Sequence, residues 1–161
     1  LGTLGARDRF RLVAFGSAVR EFRPGFTVAT RDDVAEAGRF VESLAADGGT
    51  NIAGALRVAL RPVADDSLAR ASRPVFVVFL TDGVPSVGER DPERIASEAE
   101  GALPRGARVL AVGVGADVNT FLLDRLAQAG RGTAEYVSPD GDVEVTMGAT
   151  LRRIARPVLT D

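Results

Sequence analysis

Residues 75–80 read Val-Phe-Val-Val-Phe-Leu, and residues 108–114 read Arg-Val-Leu-Ala-Val-Gly-Val. Apart from Arg108, both stretches are apolar and rich in β-branched residues, which is typical of strands buried on both faces. Helical spacing of apolar residues follows each stretch, over residues 91–103 and 119–129. Buried strands separated by helices predict an α/β fold, in which a doubly wound, Rossmann-like, mostly parallel open sheet carries helices on both faces.

The remaining elements follow from spacing and turn residues. Residues 11–15 predict a short strand, and residues 21–29 predict an extended segment at a sheet edge, because Pro24 cannot donate to a ladder. A helix is predicted from Arg31-Asp32-Asp33 to Gly48-Gly49, and a second helix over 51–63. A loop over 65–73 and a strand over 133–137 are also predicted. The final predicted helix is lined by Val143, Met147, Leu151 and Ile154 and ends before Pro157.

Length and composition exclude several classes of protein. The 161 residues suffice for about one domain. The absence of His, Cys and Trp excludes a Ser-His-Asp triad, a thiol nucleophile, a zinc finger and disulfides. A net charge of −2, from 22 acidic and 20 basic residues, argues against nucleic acid or an anionic membrane as the main partner. No apolar run approaches the roughly 18 residues that a membrane span needs, so no direct membrane insertion is expected in this segment.

Two loops carry polar residues where α/β sheets bind ligands, beyond the carboxyl ends of strands. Thr50 lies in Gly48-Gly49-Thr50-Asn51, before the second helix, and Asp82 follows residues 75–80. Taken alone, Thr50 is typical of a helix N-cap and Asp82 of an Asp-Gly turn. Taken together, a hydroxyl and a carboxylate on adjacent loops suit a hard divalent cation such as Mg²⁺, although two ligands are too few for tight binding.

These residues also resemble a known family. FLTDG at 79–83, together with GGTN at 48–51, is similar to the von Willebrand factor type A (VWA) domain. The similarity continues in order along essentially the whole chain, and it resembles the subgroup found in inter-alpha-trypsin inhibitor heavy chains and their bacterial relatives, in which a companion (VIT) domain usually precedes the A domain. The stretches that carry this likeness are DRFRLVAFGS at 8–17, GTNIAGAL at 49–56, FLTDGVPSVGE at 79–89, VGVGADVNTFLLDRLA at 112–127, RGTAEYVSP at 132–139 and RIARPVLTD at 153–161.

The resemblance implies a metal-ion-dependent adhesion site. In the family, a D-x-S-x-S motif follows the first strand, a second loop supplies a Thr that matches Thr50, and a third supplies an Asp that matches Asp82 and often acts through water. The cation, Mg²⁺ or else Mn²⁺ or Ca²⁺, keeps one position open for a carboxylate of a protein ligand. The resemblance therefore implies a non-enzymatic adhesion module, outside the cell or at the cell surface.

The sequence departs from the family pattern in one respect, since D-x-S-x-S occurs nowhere in it. The family's first strand and most of its first helix are expected before Leu1, so residues 1–161 are interpreted as a single VWA-type domain that lacks both. The expected strand order resembles 3-2-1-4-5-6, with the absent strand between residues 11–15 and 75–80. Without that strand, two central strands lose a ladder partner, and we expect an unstable or aggregation-prone piece that binds metal weakly.

Other interpretations remain open at this stage. One is a structural scaffold domain with a degenerate metal site. Another is a nucleotide-binding enzyme, suggested by Gly113-x-Gly115 after a strand, but Val118 replaces the third glycine, and the two glycines are also explained by close helix–strand packing and a tight turn. A third is metal-assisted phosphoryl transfer by Asp82, which would need a Lys or a second Asp. Asn51 could orient Thr50, and Ser86 could contact a ligand; ligand identity and oligomeric state stay unknown.

Overall fold

Four short strands and then two helices form the first part of the chain, and strands and helices alternate in the described residues after them. The computed structural model describes residues 1–46, 48–61, 74–138, 140–143, 145, 146 and 148. The strands are β1 (Arg9–Phe10), β2 (Val13–Phe15), β3 (Val19–Glu21), β4 (Thr27–Val28), β5 (Phe76–Thr81), β6 (Arg108–Val114) and β7 (Thr133–Val137). The helices are α1 (Arg31–Glu42), α2 (Ile52–Leu60), α3 (Pro92–Ala102) and α4 (Thr120–Ala129).

A parallel sheet of β5, β6 and β7 forms the centre of the molecule. Leu110 of β6 pairs with Val78 of β5 on one side and with Thr133 of β7 on the other, so the predicted parallel arrangement is confirmed. Helices α2, α3 and α4 cover one face of this sheet. The main core lies between them, and its most deeply buried side chains include Ile52, Ile95, Leu122, Leu123 and Leu126, packed with Phe79, Val109 and Ala111 from the strands.

The first part of the chain forms antiparallel pairs rather than one continuous hairpin. β2 pairs with β3, and β1 pairs with β4, so the strand predicted over residues 11–15 begins two residues later, at Val13. Gly25, next to Pro24, has a φ of +81°, a conformation that glycine adopts without strain and that separates β3 from β4. Phe15 of β2 stacks on Phe79 of β5, with ring centroids 5.7 Å apart, and this contact joins the pair to the main core.

Helix α1 begins at Arg31, as predicted, but ends at Glu42, well before Gly48-Gly49. The hydroxyl of Ser43 donates to the carbonyl of Phe40 at 2.7 Å, and this side chain competes with the backbone for the last carbonyls. The helix predicted over 51–63 begins at Ile52, and its last predicted residues lie outside the described ones. The predicted loop over 65–73 also lies outside the described residues. In the predicted final helix, the structure does not describe Met147, Leu151, Ile154 and Pro157. Val143, which it does describe, packs against Leu110, Val112 and Val137.

Strand β5 is not buried on both faces, and this part of the prediction is wrong. Phe76, Val78 and Leu80 are 40%, 42% and 45% exposed, whereas the corresponding prediction for β6 is confirmed over residues 109–113. Among the described residues, β5 pairs only with β6, and β2 pairs only with β3. The pair β2-β3 and the sheet β5-β6-β7 are separate sheets, and no described strand pairs with both of them.

Candidate metal-binding site

Three loops meet at the carboxyl ends of β2 and β5. The first follows β2 and contains Gly16 and Ser17, the second spans residues 48–51 before α2, and the third spans residues 82–88 after β5. The carbonyl of Gly16 accepts a hydrogen bond from the N–H of Asn51 at 2.9 Å, and the N–H of Ser86 donates to the carbonyl of Thr50 at 3.0 Å. The middle loop is therefore bonded to both of its neighbours.

Thr50 is not the N-cap of α2, so the simplest explanation for this residue is wrong. The cap is Asn51, whose Oδ1 accepts the N–H of Gly54 at 2.9 Å. A cap uses its side-chain oxygen to satisfy a helix N–H, and Asn51 does this one position later along the chain. The Thr50 hydroxyl is consequently not used for capping, and Asn51 serves the helix rather than orienting Thr50 through its side chain.

Asp82 lies in an exposed turn directly after β5. Below it, Thr81 is only 6% exposed, and its hydroxyl both accepts the N–H of Gly83 and donates to the carbonyl of Gly83, at 3.3 Å in each case. These two bonds fix the turn that follows the strand. The Asp-Gly turn expected from sequence is thus present, and it presents its carboxylate residue at the ligand-binding edge of the sheet.

The two candidate residues lie on loops in direct contact. A Cβ added to Gly83 would stand 3.3 Å from Oγ1 of Thr50, so the Thr50 hydroxyl lies against the residue next to Asp82. The absence of a side chain at Gly83 keeps the space beside that hydroxyl open. A hydroxyl and a carboxylate in this position are hard oxygen donors, the kind that Mg²⁺, Mn²⁺ and Ca²⁺ prefer.

The described residues could supply only part of a coordination sphere. Among them, no group of three or more His, Cys, Asp or Glu side chains could hold a metal ion together. An octahedral ion needs six donors, so further oxygens must come from water, from a ligand or from other parts of the protein. The donor chemistry at Thr50 and Asp82 suits a divalent cation, whereas the number of donors is too small.

The far end of the third loop is organised by Glu89. Its carboxylate accepts the N–H groups of Asp91 and Arg90 at 3.0 and 2.9 Å, and these bonds hold the pKa of Glu89 below its ordinary value. Asp91 in turn caps α3, because its Oδ1 accepts the N–H of Glu93 at 3.0 Å. The charged residues 89–91 therefore fix the connection between the third loop and α3.

The glycines of the G-x-G stretch serve packing, as predicted. A Cβ on Gly113 would lie 2.8 Å from Cδ1 of Leu123 in α4 and 3.0 Å from Cγ2 of Val118. Gly115 has a φ of +90°, which gives the tight turn at the end of β6.

In the part of the chain that the structure describes, no helix is long and apolar enough to cross a membrane.

The chain belongs to the family of the von Willebrand factor type A domain, which it matches over residues 1–136. Members of this family typically mediate adhesion between proteins and are generally binding modules rather than enzymes. The chain is 30% identical to human (Homo sapiens) inter-alpha-trypsin inhibitor heavy chain H4 over 164 residues and 32% identical to the pig (Sus scrofa) protein over 162 residues. Each comparison covers 99% of this chain, but it covers only 18% of the human protein and 17% of the pig protein.

Solved structures show the same fold. A von Willebrand factor type A protein from Catenulispora acidiphila superposes with a TM-score of 0.73 at 22% identity, over 95% of this chain and 34% of that one. Proximal thread matrix protein 1 from the mussel byssus, in a structure with a zinc-occupied metal-ion-dependent adhesion site (MIDAS) motif, gives a TM-score of 0.66 at 20% identity, over 91% and 34% of the two chains. The predicted α/β fold and the family resemblance are both confirmed.

The sequence did not reveal how the serines act at the site. The hydroxyl of Ser17 accepts the N–H of Gly49 at 2.9 Å, and the hydroxyl of Ser86 accepts the N–H of Thr50 at 2.8 Å. From the sequence, Ser86 is predicted only as a possible ligand contact, and Ser17 has no predicted role. Both serines lie in loops that follow strands. No sequence pattern around a loop serine identifies a backbone N–H far along the chain as its hydrogen-bond partner.

Proposed function

We propose that the chain is a divalent-cation-dependent binding module for a protein ligand that supplies a carboxylate. The observation that supports this most strongly is the contact between the Thr50 hydroxyl and the turn containing Asp82, at the edge of the sheet where α/β folds bind ligands. The cation, Mg²⁺ or alternatively Mn²⁺ or Ca²⁺, supplies the positive charge to which the ligand's carboxylate coordinates. Thr50 contributes a hydroxyl oxygen and Asp82 a carboxylate, directly or through water.

We further propose that the complete domain contains a strand between β2 and β5, ahead of residue 1. Two features of the structure support this: the described residues place no strand beside the outer edge of β5, and Phe76, Val78 and Leu80 leave that strand's face exposed. In a parallel arrangement the strand would end beside Thr50 and Asp82, where it could add the missing oxygen donors. Residues 1–161 alone should then aggregate or unfold at low temperature, and a sharp cooperative melt at high temperature would contradict this.

Calorimetric titration with Mn²⁺ and Mg²⁺ tests the metal site. We expect weak binding by residues 1–161 and ordinary binding by a parent chain that includes the upstream residues. In that parent chain, Thr50→Val and Asp82→Asn should each weaken Mn²⁺ binding by about tenfold or more. Asp117→Asn, which changes an exposed carboxylate in the loop after β6, is the matched control and should have no effect.

Two results would count against this proposal. Equal metal affinity with and without the upstream residues would remove the argument for an additional strand. Unchanged affinity in both Thr50→Val and Asp82→Asn would remove the site itself.

A structural scaffold domain with a degenerate metal site is the second candidate. The absence of any three-member acidic cluster among the described residues favours it. The identity of the residues that precede Leu1 separates the two candidates, since an intact D-x-S-x-S motif would favour adhesion and a substituted one would favour the scaffold. A nucleotide-binding enzyme is less well supported, because Gly113 packs against α4 and Gly115 forms the tight turn after β6. A phosphoryl-transfer enzyme is less well supported, because the chain contains no Lys to assist Asp82.

We propose that the domain acts outside the cell or at the cell surface. This rests on its relatives among the inter-alpha-trypsin inhibitor heavy chains, of whose length the chain spans less than a fifth. Protease treatment of intact cells tests the location, because a surface domain would be digested without permeabilisation.

A further inference from the structure

We propose that Ser86 is a positioning residue for Thr50, which it holds by its backbone so that the hydroxyl stays against Gly83, the residue next to Asp82. This inference rests on the proposed metal site and deepens it. It assigns Ser86 a role other than direct contact with metal or ligand.

The bonding between the two residues is reciprocal. The N–H of Thr50 donates to Oγ of Ser86 at 2.8 Å, while the N–H of Ser86 donates to the carbonyl of Thr50 at 3.0 Å. The N–H of Val87 donates to the same carbonyl at 3.3 Å. Both peptide groups that flank the Cα of Thr50 are therefore held by one short segment of the third loop, which restricts rotation of the residue.

Close packing removes the remaining freedom of the middle loop. A Cβ on Gly49 would lie 2.5 Å from Cγ2 of Val87 and 2.8 Å from Oγ of Ser17, closer than real Cβ atoms approach either partner. Ser17 accepts the N–H of Gly49 at 2.9 Å. The N–H groups of residues 49 and 50 are thus bound by two hydroxyls that belong to different loops.

The two serines do not act equally on Thr50. Ser17 bonds the preceding residue, whereas Ser86 bonds Thr50 itself and lies three residues beyond Gly83, which contacts the Thr50 hydroxyl. Ser86 therefore links the backbone of one candidate metal ligand to the loop that carries the other. Because metal sites lose affinity when their supporting hydrogen bonds are removed, loss of the Ser86 hydroxyl should weaken the site without removing a donor.

The test combines hydrogen exchange with titration of Mn²⁺ alone, using the natural full-length chain. In Ser86→Ala, the peptide containing the Thr50 amide should exchange about 3- to 10-fold faster without metal, which is the range that one neutral hydrogen bond contributes. Mn²⁺ affinity should fall by a similar factor. Ser86→Thr should restore both values, because it retains the hydroxyl.

Ser43→Ala is the matched control, since it removes a serine hydroxyl that donates to Phe40 at the end of α1. It should change neither exchange at Thr50 nor Mn²⁺ affinity. Unchanged exchange at Thr50 in Ser86→Ala would overturn the proposed hydrogen bond. Faster exchange with unchanged Mn²⁺ affinity, while Thr50→Val weakens binding, would overturn the positioning role and leave the metal site intact.

The failure of the proposed function has a different signature. If Thr50→Val itself leaves Mn²⁺ affinity unchanged, Thr50 is not part of a metal site and the positioning role fails with it. The exchange measurement without metal would still report whether Ser86 holds the loop.

Discussion

Replacing Gly49 by alanine tests whether the three loops of the candidate site touch as described. The added methyl group would lie 2.5 Å from Cγ2 of Val87 and 2.8 Å from Oγ of Ser17. Relaxed contacts between carbon atoms need about 3.5–4.0 Å, so one of the neighbours must move by about an ångström. Overpacking of this kind costs about 1–3 kcal/mol. Displacing Ser17 from the N–H of Gly49 weakens a hydrogen bond by about 1 kcal/mol more.

We therefore expect Gly49→Ala to lower the free energy of unfolding by about 2–4 kcal/mol. In a domain of this size that corresponds to a fall in Tm of about 4–16 °C. Thermal and urea unfolding of a parent chain that includes the upstream residues, followed by circular dichroism, measure the change. Gly101→Ala is the control, because nothing lies within 4 Å of its added methyl, and alanine there should be neutral or stabilise α3 by up to about 1 kcal/mol. If Gly49→Ala melts within about a degree of the unchanged chain, the loops do not meet and the site geometry is wrong.

Two further predictions concern titratable groups. A hydrogen bond from the Thr30 hydroxyl, and then the Arg23 guanidinium at 2.6 Å, hold the pKa of Asp33 below its ordinary value. The stability this provides is present above the ordinary pKa and is lost as pH falls through the lowered one, so Asp33→Asn should reduce the dependence of the urea midpoint on pH between about 5 and 3. Partial desolvation of Tyr136, which is still 45% exposed, and then the hydrogen bond to Asp124, raise the pKa of this tyrosine to about 12. In a parent chain that includes the upstream residues, the ultraviolet titration lost in Tyr136→Phe should have a midpoint near that value, and Asp124→Asn should lower it; an ordinary midpoint for this tyrosine would contradict the contact.

The elements that the sequence predicted best are those whose signals are local. Asp91-Pro92 marks the start of α3 because the aspartate caps it and proline suits its first turn, and the apolar run of β6 has the predicted bounds, Arg108–Val114. The end of α1 was predicted too late, because the only strong stop signal in sequence is Gly48-Gly49. The actual end depends on how Ser43 bonds the helix's last turn, which propensity does not encode.

The candidate site shows a similar division between local and long-range information. Thr50 and Asp82 were selected because each occupies a predictable place, one before a helix and the other after a strand. The contact between the Thr50 hydroxyl and Gly83, the residue next to Asp82, depends on how the fold brings the two loops together, and sequence spacing gives no information about that. The roles of Ser17 and Ser86 depend on bonds across 32 and 36 residues, so only the folded chain reveals them.

The wrong prediction for β5 is informative about both stability and function. Fully burying a large apolar side chain contributes about 1.5–3 kcal/mol. With Phe76, Val78 and Leu80 each 40–45% exposed, covering them would add about 2–4 kcal/mol in total. That is a substantial part of the roughly 5–15 kcal/mol that stabilises a typical domain. A strand added beside β5 would pair its outer edge, and the segment joined to it would cover this face. Because the same strand would end next to Thr50 and Asp82, we expect stability and metal affinity to rise together when it is present, as they do wherever metal ligands are assembled by folding.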